Sequence, residues 1–271
     1  MLPHDVQDPV EFSVVIPAYN EASRILPYLR AITSYMHDRR SVCEVIVIDD
    51  GSTDATASVV AKLAREIPVI HVIQQPSRRG KGAAVRRGMH VASGRLCLFA
   101  DADGATPIHE LARLEQAIDE GADLAIGSRT LASRMPDFVV QARLYRSILG
   151  SLFNSVVQRR GIKGIADTQC GFKLFRKTIA EDLFAVSSID GYGFDLELLY
   201  VAQQRGYKIA EVPVNWSDQP GSKVRVLRDG FAMLGELKAI KHNEAKGYYR
   251  TSGMVDNFQV RSMKPSRLPS S

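Results

Sequence analysis

The chain alternates between short, uninterrupted apolar runs and longer stretches with apolar residues at helical spacing. Residues 12–16, 45–48, 69–73, 96–100 and 124–126 read as strands. Between them, Ile25, Leu29, Ile32 and Met36 form one stripe over a helix at 21–36, and Val59, Val60, Leu63 and Ile67 another. Ile108, Leu111, Leu114 and Ile118 form a third, with Pro107 suited to its first turn and Asp54 a candidate N-cap for the second. Strands apolar along their whole length are buried on both faces. Repeated β-α-β order therefore predicts a mostly parallel central sheet with helices on both faces, an α/β Rossmann-like fold. The second half is less regular. Helices are expected over 144–157, 195–204 and 224–241, and strands over 172–175 and 208–214. No repeat or linker divides the chain. The expected organisation is an N-terminal extension over 1–11, one folded domain over 12–250 and a disordered tail over 251–271, which is rich in Ser, Pro, Lys and Arg and has no periodicity.

The loops after these strands carry the chemistry. The run ending at Ala100 is followed by Asp101-Ala102-Asp103, two carboxylates one residue apart where a buried strand meets solvent, a spacing that can hold a hard divalent cation. Pro17-Ala18-Tyr19-Asn20-Glu21 and Asp49-Asp50-Gly51-Ser52-Thr53-Asp54 end the first two strands. Three acidic or polar loops at successive strand ends are the layout of a nucleotide-diphosphate site on an open α/β sheet. Tyr19 offers a stacking face, and Asp50 is a candidate acceptor for a base N–H, while Ser52, Thr53 and Asp54 serve equally well as helix caps. Gly80-Lys81-Gly82-Ala83-Ala84 opens a helix and favours an anion, but GxxxxGK[ST] is absent, so it is not a P-loop. Arg129, after the fifth strand, is a candidate phosphate contact. Asp195 is either an N-cap or a base facing the site, and Lys223 is a candidate to close over a diphosphate.

Composition narrows the field. Net charge is +5 over 271 residues, with 45% hydrophobic and 24% charged residues. This suits an anionic ligand or surface but is too dispersed for DNA, and no nucleic-acid-binding pattern is present. Cys43, Cys97 and Cys170 are odd in number and show no CxxC spacing, which points to buried thiols in a reducing compartment and against a cysteine nucleophile. Residues 1–11 have no signal-peptide core, and no window approaches the about 18 apolar residues that span a bilayer. A cytoplasmic protein is expected, with peripheral contact at the membrane's cytoplasmic face through the basic C-terminal helix bearing Arg225, Arg228, Lys238 and Lys241; the alternative is a solvated helix face.

Taken in order, PAYNE (17–21), DDGSTD (49–54), GKGAA (80–84), DADGATP (101–107), GSR (127–129), DTQCGFKLF (167–175), FDLELL (194–199), EVPVNW (211–216) and GSK (221–223) resemble family 2 glycosyltransferases of the GT-A fold. The resemblance spans 12–241 and is closest to the dolichyl-phosphate β-glucosyltransferase branch, with polyprenyl-phosphate mannose synthases also similar. It implies that Pro17, Ala18, Tyr19, Glu21, Ile48, Asp50, Lys81 and Ala102 hold the donor nucleotide. Asp101 and Asp103 would hold ribose, diphosphate and Mg²⁺ or Mn²⁺, and Arg129 and Lys223 the phosphates. Where the mannose branch commonly has Gln, this chain has Ala105. Where that branch has Arg before GSK, this chain has Ser217 and Asp218. Both differences imply UDP-glucose as donor.

The implied reaction is inverting transfer to a polyprenyl phosphate, which needs no strong base, with Arg134, Arg143 and Arg146 as candidates to receive the acceptor phosphate. The alternatives are a GDP-mannose donor, or a soluble hydroxyl acceptor with Asp195 or else Asp167 as base; an N-terminal anchor, usual in the glucose branch, is not read here. A sugar-nucleotide pyrophosphorylase is the rival class, but its glycine-rich loop belongs after strand one, where Asn20-Glu21-Ala22 stands. A non-catalytic nucleotide-binding module is the third alternative, against which both Asp101 and Asp103 argue.

Overall fold

The computed structural model describes residues 9–141, 157, 162–219 and 226–250. The helix expected at 144–157 (Val157 apart), with Arg143 and Arg146, the GSK segment with Lys223, Arg225, residues 1–8 and the tail from 251 lie outside them.

Among the described residues, β1 (Phe12–Ala18), β2 (Cys43–Asp49), β3 (Ile70–Gln74), β4 (Leu96–Ala100), β5 (Leu124–Ser128), β7 (Phe172–Arg176) and β8 (Ile209–Pro213) form one sheet in the order β3-β2-β1-β4-β7-β5-β8. All neighbours are parallel except β7, which runs antiparallel between β4 and β5. A two-residue strand β6 (Val140–Gln141) pairs with β9 (Trp216–Ser217) outside that sheet. The helices are α1 (Ile25–Asp38), α2 (Thr56–Glu66), α3 (Lys81–Val91), α4 (Leu111–Asp119), α5 (Arg129–Ala132), α6 (Lys177–Val186), α7 (Phe194–Gln204) and α8 (Val226–Ala245).

Strand alternation sorts the core into two layers. Phe12, Val14, Ile16, Val45, Val47, Leu98, Phe172 and Leu174 face one side, covered by the stripes of α1, α2 and α4. Val15, Ile46, Ile48, Cys97, Phe99, Ile126 and Phe175 face the other, covered by α3, α6, α7 and part of α8. The sheet is thus buried on both faces, as the unbroken apolar strands require. Chain order reverses direction between β1 and β4, and the crevice beyond the carboxyl ends of the strands at such a switch point is where open α/β sheets bind ligands.

Two helix starts differ from the sequence reading. The first helix begins at Ile25 rather than 21, because residues 20–22 bond to the second loop. Asn20 takes a left-handed φ of 55°, its N–H donates to Ser52 Oγ (2.9 Å), Glu21 N donates to Thr56 Oγ1 (2.7 Å) and Ala22 N to Asp54 Oδ2 (3.3 Å). The N-cap position of α2 is Ala55, not Asp54 as the sequence suggested, although Asp54 Oδ1 accepts from Thr56 N at 2.9 Å. The sequence reading also passed over α6, although Ile179, Ala180, Leu183 and Phe184 give it a buried stripe.

Candidate active site

The β1-β2 register pairs Pro17 with Ile48 and Ala18 with Asp49, so the PAYNE and DDGSTD loops leave the sheet side by side. Asp101 follows β4 on the other side of β1. Ala100 pairs with Phe172 of the antiparallel β7, which brings the 167–171 loop against Asp101, and Asp101 N donates to Gly171 O at 3.0 Å. Asp101, Ala102, Asp103, Glu21, Lys81, Arg129, Asp167 and Asp195 are gathered at this edge; Lys223 lies outside the described residues.

A ladder of alternating charge runs through the site. Asp103 Oδ2 lies 3.7 Å from Arg24 Nη1, and Arg24 is clamped by Glu21, whose Oε1 accepts from Nη2 at 2.8 Å and whose Oε2 accepts from Nε. Asp101 Oδ1 is 2.6 Å from Lys81 Nζ. Burial works against the Lys81 charge, but Asp101 and Asp195 together hold its ammonium above the ordinary lysine range. Asp195 Oδ1 in turn accepts from Lys173 Nζ at 2.6 Å, and Lys173 also donates to Cys170 O at 2.7 Å. Burial pushes the Asp195 carboxyl up, opposed by Lys173 and Lys81. Both partners are sealed from solvent, with side chains 1% and 3% exposed.

Asp101 and Asp103 suit a hard divalent cation. Asp103 is raised by burial and by repulsion from Asp101, partly offset by Ala105 N (3.1 Å from Oδ1), Arg24 and Lys81, and a divalent cation held by the two carboxylates would relieve that repulsion. Among the described residues no group of three or more His, Cys, Asp or Glu is placed to hold a metal unaided. Two carboxylates with the remaining positions left to phosphate oxygens and water is the way proteins usually take Mg²⁺.

Other side chains have structural partners that the sequence did not disclose. Asp50 is 3% exposed and accepts from Gln75 Nε2 (3.1 Å), Arg79 N (2.7 Å) and Gly80 N (2.8 Å), so its carboxylate ties the 75–80 loop down under Lys81; a base N–H would have to share one of these oxygens. The Arg78 guanidinium stacks on Tyr19 at 4.1 Å. Arg129 sits where Ser128 caps α5 and forms a bidentate pair with Asp167 (2.7 and 2.8 Å), while its guanidinium lies 5.4 Å from the Trp216 ring. Asp167 is therefore committed to orienting Arg129. Burial opposes ionisation of Asp167, but the Arg129 contacts outweigh it and hold the carboxyl below the usual range. A depressed carboxyl stabilises the fold above the unfolded value of about 3.9 and loses that effect as pH falls through its folded value. The stability difference between the native chain and Asp167→Asn, measured by urea unfolding, is expected to be full at pH 6 and to shrink below about pH 4. Cys170 is buried and its thiol is pushed up to about 12, so it is not a nucleophile.

Three contributors escaped the sequence reading: Arg24, Lys173 and Gly171. Arg24 was signalled only by its i, i+3 spacing from Glu21. Gly171 matters because a Cβ there would lie 2.0 Å from Asp101 Oδ2. Gly171→Ala is expected to rotate the Asp101 carboxylate away and slow turnover by about a hundredfold. Melting temperature should change little, since the clash is with the movable end of a side chain; an unimpaired variant would show that this orientation of Asp101 is not needed.

Comparison with known proteins now bears on this geometry. Residues 13–184 match the model of glycosyl transferase family 2, and the chain belongs to that family. It is a glycosyltransferase. It is 36% identical over 254 residues to a dolichyl-phosphate beta-glucosyltransferase of Dictyostelium discoideum, covering 90% of this chain and 77% of that protein. The enzymes of the same name from Saccharomyces cerevisiae (34% over 264 residues, 91% and 79%) and Homo sapiens (36% over 251 residues, 89% and 78%) are similarly related. Among solved structures, mannosyl-3-phosphoglycerate synthase from Rubrobacter xylanophilus superposes with a TM-score of 0.66 at 18% identity, covering 90% of this chain and 77% of that one. Glucosyl-3-phosphoglycerate synthase from Mycobacterium tuberculosis, in complex with UDP, gives 0.63 at 21%, covering 85% and 79%. These two likenesses establish the GT-A fold.

Proposed function

We propose that the chain is an inverting hexosyltransferase that moves glucose from UDP-glucose to a dolichyl or other polyprenyl phosphate with Mg²⁺ or Mn²⁺. The observation that carries this reading is the 34–36% identity, over about nine-tenths of the chain, to three enzymes of one name. A Mycobacterium tuberculosis structure of the same fold, in complex with Mn²⁺, UDP-glucose and phosphoglyceric acid, lends support to the donor and the metal (TM-score 0.59). Ala105 and Ser217, two of the positions that depart from the mannose pattern, are themselves joined, Ser217 N donating to Ala105 O at 2.9 Å. Ala105 lines a small cavity beside Asp101 together with Tyr28, Thr106, Gly171 and Trp216.

In this reading the Pro17–Glu21 loop, Ile48 and Asp50 hold the nucleoside, and Asp101 and Asp103 hold the divalent cation, Asp103 foremost. The bound cation supplies charge neutralisation for the departing diphosphate. Lys81, paired with Asp101, and Arg129, held by the buried Asp167, present fixed positive charge to the same oxygens, a preorganised stabilisation that needs no rearrangement as the bond breaks. An acceptor phosphate oxygen attacks the anomeric carbon from the opposite face. The new C–O bond forms as the bond to UDP breaks, and the configuration inverts. A phosphate monoester is largely ionised near neutral pH, so no base has to take a proton. That agrees with an Asp195 sealed against Lys173 and an Asp167 committed to Arg129. No helix among the described residues is long and apolar enough to cross a membrane. The exposed Lys238 and Lys241 of α8, with Lys246 and Arg250 beyond it, are the candidates for peripheral contact with anionic lipid.

The test is to supply UDP-[¹⁴C]glucose or GDP-[¹⁴C]mannose with Mg²⁺ or Mn²⁺ and a short polyprenyl phosphate, then extract with organic solvent. Glucose label entering the organic phase only when the lipid phosphate is present is the expected result. Mannose label there would move the donor to GDP-mannose, and label in a new aqueous product would move the acceptor to a soluble hydroxyl.

A further inference from the structure

The buried Lys173–Asp195 pair has no part in the chemistry above. Lys173 stands in the middle of the sheet, opposite Phe99 on β4 and Ile126 on β5, with 0% exposure. That position ordinarily takes an aliphatic residue. An ion pair there is costly to desolvate, and well-packed apolar residues of similar volume are often at least as stable, so stability alone gives little reason for it.

Its surroundings link it to Lys81. The Phe99 ring has the Lys81 ammonium 5.1 Å from its centroid and the Lys173 ammonium 5.8 Å away, and Phe194, next to Asp195, meets the same ring edge-on at 5.5 Å. The first turns of α3 and α7, which carry Lys81 and Asp195, are locked together through the segment before α7. Gly82 N donates to Asp190 O at 2.8 Å, and a Cβ on Gly82 would meet Ile189 O at 2.3 Å and Phe194 Cβ at 2.7 Å. Arg86 of α3 pairs with the Asp190 carboxylate.

We infer that Asp195 is a positioning residue rather than a base: held by Lys173, it fixes the Lys81 ammonium at the donor-phosphate side of the site. Lys81 is paired with Asp101 at 2.6 Å and shares the Phe99 ring with Lys173, the partner of Asp195. Were Asp101 engaged by a donor-bound cation, Asp195 would still hold the ammonium in place. This rests on the reading of Lys81 as a donor-phosphate contact.

The experiment is a calorimetric titration of UDP in Mn²⁺ into the native protein, Asp195→Asn, Lys81→Met and the double variant, with kcat and KM for UDP-glucose measured alongside. Native protein that does not bind UDP would overturn the functional reading itself. Given native binding, the inference predicts that Asp195→Asn weakens UDP about tenfold, that Lys81→Met does the same, and that the double variant is no weaker than either, because the two groups act as one unit. Native UDP affinity in Asp195→Asn with a fallen kcat would overturn the inference in favour of a base. Additive losses would overturn it too. If Asp195→Asn fails to fold with Lys173 unpaired, Asp195→Asn/Lys173→Met removes both charges and carries the same comparison. The inference predicts that this variant folds but still binds UDP weakly, whereas a purely structural pair would give native affinity.

Discussion

Asp103→Ala is expected to reduce glycosyl transfer by on the order of a thousandfold while leaving the fold intact. The side chain is 21% exposed, and its contacts are a backbone N–H of its own loop and the Arg24 guanidinium at 3.7 Å, so little of the core depends on it. What it supplies is negative charge at the end of β4, where burial and Asp101 already make that charge costly. Far-UV circular dichroism and a melting temperature within a few degrees of native, alongside the lost rate, are the expected observations. A variant keeping a tenth or more of native turnover would mean that the carboxylate pair does not hold the diphosphate cation.

Lys173→Met is expected to have the opposite profile, with its largest effect on stability. It leaves the Asp195 carboxylate and the Cys170 carbonyl facing an apolar side chain in the centre of the molecule. Breaking one half of a buried pair costs about 3–5 kcal/mol. Replacing both halves, as in Lys173→Met/Asp195→Leu, should recover most of that loss, because the desolvation cost disappears along with the attraction. Urea unfolding of the two variants measures this. A loss under about 1 kcal/mol in the single variant would show that the pair is not charged and buried together.

The fold was legible to the extent that it depends on burial. Unbroken runs such as Leu96–Ala100 and stripes such as Leu111, Leu114 and Ile118 report burial directly, and both appear where expected. The antiparallel insertion of β7 was not legible. Phe172 to Phe175 are buried on both faces, so the run says strand without saying which neighbour or direction, and pairing with β4 and β5 is a matter of topology. The start of α1 moved for a different reason. Glu21 and Ala22 fall within the helix expected from 21, yet their backbone groups are used to bind the second loop, a tertiary demand that overrides local preference.

The site was legible as a collection of strand-end loops but not as a wiring diagram. The sequence brought forward Asp101, Asp103, Lys81, Arg129, Asp167 and Asp195, and the fold brings them to one edge. It did not show that Asp167 belongs to Arg129, or that Asp50 holds backbone N–H groups of the 75–80 loop. Both are side-chain partnerships across 38 and 29 residues of chain, which spacing cannot reveal. Lys173 also carried a local signal: a lysine within a strand apolar on both faces needs a counter-ion, which the fold supplies from Asp195 in the first turn of α7.

The most direct test of the account is UDP binding by the native protein and by Asp103→Ala, each measured in EDTA and in Mn²⁺. The account predicts that Mn²⁺ tightens UDP binding at least tenfold in the native protein and has no effect in Asp103→Ala, with both proteins melting alike. Equal UDP affinity in EDTA and Mn²⁺, or a metal effect that survives the loss of Asp103, would contradict the assignment of the Asp101–Asp103 edge as the donor diphosphate site.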